Sequence, residues 1–218
     1  MKPRLSYRSE AGLTVFEVGV VVATVLILLA LFLPVFGRPR YRNSKINCTN
    51  HLKQIGLAYV IWEGDNRNLY PMGVSVTNGG SMEMVITGNV AQTFAAMSNE
   101  LSTTKILICP NDTNRVSAAS FWTLANSNVS YFVGVDVTND TNPLSVLSGD
   151  GALEIAGKTV KPGLISVWTN DPVKWSSIRH GHSGNIGLAD GSVQSTTDTG
   201  LRDRIVETGI ATNRWAIP

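Results

Sequence analysis

Near the C-terminus the segment WSSIRHGHSGNIGLADGSVQST sets two histidines two residues apart, His180 and His182, ahead of the pair Asp190-Gly191. On a strand the two imidazoles would share a face, and Asp190 or Asp150 could complete a metal-ligand set or supply the acid of a hydrolase. The same residues have a structural use. An aspartate caps its own turn, the following glycine supplies positive φ, and His180 could hydrogen-bond that turn from the neighbouring strand. Three ligands with no cysteine or glutamate cluster beside them form a thin metal signature, so the turn reading is preferred and neither metal nor cofactor is expected. Two cysteines, Cys48 and Cys109, suit either a bridge or a pair of small buried hydrophobes, and both readings stand on the residues alone. A last group of interest is Glu17, a lone carboxylate inside a long apolar run, where an unpaired charge is costly.

Other chemistries find little support. GDG at 149–151 lacks the strand-to-helix glycine pattern and the Lys-Ser/Thr of a phosphate loop. There is no G-x-S-x-G elbow, no triad order and no calcium loop with acids at 1-3-5 spacing. No catalytic residue is assigned, and the chain is read as a non-enzyme. The net charge of +2 is unevenly spread. The first 45 residues carry seven Lys/Arg and two Glu, +5, and the remainder carries 11 basic and 14 acidic residues, −3. The basic balance therefore belongs to the N-terminal flanks, and the globular part offers no nucleic-acid surface.

The elements that must position these groups start with residues 13–36, 24 residues with Glu17 as the one charge. As a helix the run spans roughly 36 Å, enough for a ~30 Å hydrocarbon core, and is expected to cross a membrane. A basic segment, 1–12, precedes it. Gly37 and Pro39 should interrupt the helix, and helical pattern then resumes through residue 66. There Cys48, Leu52, Ile55, Tyr59 and Trp62 form a one-sided stripe for the core, with Lys53, Gln54 and Glu63 turned away. Gly64-Asp65-Asn66 ends it. Residues 67–218 read as one globular domain. Its elements are a short helix near Val90–Met97, a strand over 105–112, strands at SYFVGVDV, SVLSGDG, ALEIAGKTV and ISVWT, and two more near Ser177–Arg179 and Asn185–Ala189. Asp190-Gly191 then turns the chain into a hairpin.

The segment GLTVFEVGVVVATVLILLALFLP resembles the N-terminus of type IV pilin-like proteins, which include the type II secretion pseudopilins. That resemblance implies a cut by a prepilin peptidase after Gly12, methylation of the new N-terminal Leu13, an assembly carboxylate at Glu17 and a helix-kinking Pro34. Glu17 would pair with its own or a neighbour's N-terminal amine as helices bundle. His180 followed by nine residues and Asp190-Gly191 matches the H-X9-DG signature of a group of prepilin-type proteins. CTNHLKQIGLA, Cys109-Pro110 with Asp112, SYFVGVD, LSGD and the closing NRWAIP are similar to the same group. The resemblance favours a Cys48–Cys109 bridge. It implies an α+β pilin-like fold, a long N-terminal transmembrane and assembly helix packed against a mainly antiparallel sheet. The implied function is a structural subunit of a pilus-like filament or secretion pseudopilus. The protein would sit singly spanning an inner membrane, with the C-terminal domain extracytoplasmic. Its implied partners are the peptidase, copies of itself and other pilin-like subunits, an inner-membrane assembly platform and the lipid bilayer. The alternative is a minor pilin-like adhesin, or a cargo- or DNA-binding module displayed at the surface.

Overall fold

The computed structural model describes residues 12, 14–32 and 40–218. The chain divides into two units, Met1–Arg40 and Tyr41–Pro218. In the first, helix α1 covers Val15–Phe32. Thr14 and Glu17 start it as a reciprocal capping box. The Thr14 N–H and hydroxyl donate to Glu17 Oε2 at 2.8 and 2.9 Å, and the Glu17 N–H donates to Thr14 Oγ1 at 3.3 Å. Gly12 is exposed. Leu13, Pro34 and the Gly37–Pro39 break lie outside the described residues.

The membrane reading is corrected here. Among the described residues no helix is long and apolar enough to cross a membrane. The physical reason is length. The apolar run of 24 residues is expected to form a single span, and its described part is the 18-residue helix α1, about 27 Å at 1.5 Å per residue against a ~30 Å core. The expected transmembrane helix, and with it the single-pass placement in an inner membrane, is therefore withdrawn. The α+β class with antiparallel sheets stands.

In the second unit α2 runs Arg40–Asp65. Its stripe Cys48, Leu52, Ile55, Tyr59 and Trp62 is buried, each at 5% exposure or less. Glu63, expected to face away, is buried too. Short helices α3 (Met82–Val85), α4 (Val90–Ala96) and α5 (Ser98–Leu101) follow. The strands are β1 (Tyr131–Gly134), β2 (Val146–Asp150), β3 (Leu153–Ile155), β4 (Lys158–Thr159), β5 (Gly163–Trp168) and β6 (Val173–Trp175). Then come α6 (Ser177–His180), β7 (Ser183–Leu188), β8 (Val193–Thr197), α7 (Asp198–Glu207) and β9 (Thr212–Ile217).

Two antiparallel sheets result, six strands in the order β5-β9-β1-β2-β7-β8 and three in the order β4-β3-β6. Side chains alternate across the large sheet. Tyr131 and Val133 join the α2 stripe, Phe94 and Met97 in one core, while Phe132, Ile186 and Trp215 join Val173, Trp175, Leu201 and Ile205 in the other. The large sheet is thus the middle of three layers, with α2 and the short helices on one face and the small sheet with α7 on the other.

Three local expectations change. Residues 177–179, expected as a strand, form the helical turn α6. Ser176 caps it by accepting from the Ile178 N–H, and Gly181 closes it with φ +56°. The strand expected over 105–112 is instead a 3-10 turn at Thr104–Leu107, capped by Thr103. Helix α7, which the sequence pattern did not reveal, is capped by Thr197 and buries Leu201 and Ile205.

Candidate functional site

Four buried side chains meet where α2, β2 and α6 converge. The α2 stripe carries Cys48 inward, and the chain leaving the Thr104–Leu107 turn brings Cys109 to it. The two are bridged, with Cα atoms 5.3 Å apart. His180, the last residue of α6, points its Nε2 at Cys109 Sγ, 3.3 Å away, and at Asp150 Oδ2, 3.7 Å away. Asp150 ends β2, a strand buried at every position. Its Oδ2 accepts from the backbone N–H of Asn185 at 2.8 Å and from Asn185 Nδ2 at 3.0 Å, while Oδ1 has no hydrogen-bond partner. On the other side of the imidazole, Nδ1 faces Asn111 Nδ2 at 3.2 Å, and the same amide donates to the Arg179 carbonyl at 2.7 Å. Both cysteines are fully buried, and His180 and Asp150 are each 1% exposed.

Burial dominates the electrostatics. It pushes the Asp150 carboxyl up, against the opposing pull of His180 and the Asn185 hydrogen bonds. It pushes His180 down, against the opposing pull of Asp150. Both shifts favour the uncharged forms, because the charged forms are desolvated before they can pair.

A second polar layer secures α6. Arg179 pairs with Asp112 and donates to the Ser130 carbonyl at 2.7 Å. Asp112 Oδ2 also accepts from Ser130 Oγ at 2.8 Å and lies 3.3 Å from Arg115 Nε. Arg115 in turn donates to the Pro218 carbonyl at 2.8 Å, which ties the last residue of the chain into the network.

The two ends of the H-X9-DG segment do different work. His180 sits beside the bridge, and β7 carries the chain on to Asp190-Gly191 at the far end of the hairpin. There Asp190 Oδ1 accepts from the Ser192 N–H at 2.8 Å, and Gly191 adopts φ +79°. The turn rests on α2. A Cβ built on Gly56 would lie 3.5 Å from the Gly191 carbonyl oxygen, and one on Gly191 would lie 4.0 Å from Val60. His180 therefore does not reach the turn that the sequence pairs it with. His182 and Asp190 are exposed, so the metal set drawn from His180, His182 and Asp190 is not assembled. His180 meets Asp150 and the cysteines instead.

Sequence reading named Asp150 as the alternative to Asp190 beside the histidines, and missed the roles of Asn185, Asn111 and Arg179. One signal was present for Asp150: an acid closing a strand of otherwise apolar or small residues, VLSGD, must be paired or functional. No protein-family model, no curated protein and no solved structure matches this chain.

Proposed function

We propose that this protein is a structural subunit of a pilus-like or pseudopilus-like filament, cut after Gly12 and assembled through packing of its N-terminal helix against the helices of further subunits. The observation that carries this reading is the surface of α1. Every described side chain from Val15 to Ala30 is exposed, among them Val15 at 91% and Phe16 at 81%. A helix apolar on all sides is stable in water only when other apolar surface covers it. Equivalent helices from other copies supply such cover with matching ridges and grooves. Glu17 supports the reading as the one carboxylate on that surface, placed four residues from the N-terminus that a cut would create. The described site residues act structurally in this reading. The cystine, the Asp190-Gly191 turn and the Arg179–Asp112 network fix the domain that each subunit displays.

The test is mass spectrometry of the N-terminus of the protein isolated from its native cell, together with electron microscopy of sheared surface material. A chain beginning at Leu13 and found in filaments is expected. An intact Met1 start, with the protein absent from any polymer, would sink the proposal.

A further inference from the structure

A second property lies in the centre around Cys109, and it is independent of filament assembly. We propose that in the thiol form of the chain Cys48, Cys109, His180 and Asp150 bind one zinc-type divalent cation, and that this metal-bound state and the bridged state are alternatives.

The geometry carries the inference. The two Sγ atoms, a ring nitrogen of His180 and a carboxylate oxygen of Asp150 all lie within 4.8 Å of one another, and all four residues are buried. With metal–sulfur bonds of about 2.3 Å and metal–nitrogen or –oxygen bonds of about 2.0–2.1 Å, the edges of a tetrahedral site are about 3.8 Å between sulfurs, 3.6 Å from sulfur to nitrogen and 3.3 Å from nitrogen to oxygen. The separation of 3.3 Å from His180 Nε2 to Cys109 Sγ already approaches the sulfur–nitrogen edge, and the Asp150 carboxylate stands beside the same nitrogen, its Asn185-held Oδ2 3.7 Å away. The change required is separation of the two sulfurs, which loss of the bridge allows.

An independent observation points the same way. Asp150 Oδ1 is a buried acceptor with no hydrogen-bond partner, while Asn185 holds the other oxygen through two hydrogen bonds. A carboxylate oriented on one oxygen and vacant on the other is arranged as a ligand is by its supporting residues. Asn111 stands at His180 Nδ1. When the metal takes Nε2, Nδ1 carries the ring proton and the Asn111 amide turns its oxygen to receive it, giving up its hydrogen bond to the Arg179 carbonyl. Two thiolates, an imidazole and a carboxylate form a closed four-ligand set of the kind that selects zinc over magnesium or calcium.

The two states exchange by balanced chemistry. A newly made chain carries both sulfurs as thiols. Metal binding releases their two protons to solvent. An incoming disulfide takes two electrons from the thiolates, the Cys48–Cys109 bond forms, and the oxidant leaves as two thiols with protons from solvent. The metal has then lost two of its four ligands and is released.

The full chain is unfolded in guanidinium and reduced with a water-soluble phosphine, which takes an oxygen from water as its oxide while the cystine gains two hydrogens. It is then refolded without air in the presence of zinc or cobalt(II). One metal per chain, a tetrahedral cobalt spectrum with thiolate charge-transfer bands, and native circular dichroism are expected. The bridged chain should bind none. His180→Ala and Asp150→Asn should each bind at least about tenfold more weakly, with a changed cobalt spectrum. Circular dichroism of the reduced chain with and without zinc reports folding separately from affinity. Equal binding by the bridged chain, identical spectra and affinities in both variants, or a reduced chain that zinc neither binds nor folds would each overturn the proposal.

Discussion

Glu17 has two jobs that one substitution can separate. It is the N3 residue of a capping box with Thr14, and it is the one carboxylate of an otherwise apolar helix. Glutamine at N3 preserves the reciprocal hydrogen bonds of such a box but removes the charge. If pairing with an N-terminal amine drives assembly, Glu17→Gln and Glu17→Ala should both deplete the subunit from filaments by an order of magnitude on immunoblots of sheared material. If only the cap matters, Glu17→Gln should incorporate like the wild type while Glu17→Ala alone is impaired. The apolar run announced the cost of Glu17. The capping box was also written in the sequence, as Thr14-Val15-Phe16-Glu17, yet a reading centred on charge passed over it. Asp150 was harder to see, because its partners His180 and Asn185 are 30 and 35 residues away and only strand pairing brings them close.

At the scale of elements, the bridge joins α2 to the segment after the Thr104–Leu107 turn across a sequence separation of 61. Closing so long a loop restricts the unfolded chain strongly, and the double variant Cys48→Ala/Cys109→Ala is expected to lose about 2–4 kcal/mol of stability, read as a lower urea midpoint. An unchanged midpoint would mean that the α2 stripe and its partners hold that corner unaided. The stripe itself was legible, because a 3-4 spacing of apolar residues leaves one geometric solution on a helix. α6 and the Thr104–Leu107 turn were not legible. Both stretches carry strand-forming residues, and what decides them is a capping hydroxyl, from Ser176 or Thr103, together with burial from outside the segment. Gly184 illustrates a tertiary demand that propensity cannot express. A Cβ there would lie 2.5 Å from the Trp175 ring, so the strand stays bare to let the indole lie on it.

For the molecule as a whole, stability should depend on pH through Glu63. Burial, and then the nearby charge of Asp140, hold its carboxyl above the ordinary range in the folded state. Below the unfolded value of about 4.3 the group is protonated in both states and exerts no pH effect. As pH rises through that value the unfolded chain releases a proton that the folded chain keeps, so stability falls until the folded value is passed. Glu63→Gln should therefore gain on the wild type as pH rises above about 4.3, seen as diverging urea midpoints. Parallel midpoints would remove Glu63 as the source. Taken alone, the sequence determined a mixture of helices and strands, the helical stripe of α2, the Asp190-Gly191 turn and the apolar character of α1 around its single carboxylate. Each of these rests on local periodicity or on a side chain acting within a few residues of itself. Only the structure decided that, among the described residues, no helix is long and apolar enough to cross a membrane, α1 covering 18 residues of the apolar run. It alone placed His180 on the cystine and on Asp150 rather than on the turn of its own motif, and Gly191 on α2. Those placements follow from strand order and layer packing, which bring together residues far apart in the chain and which no local spacing encodes.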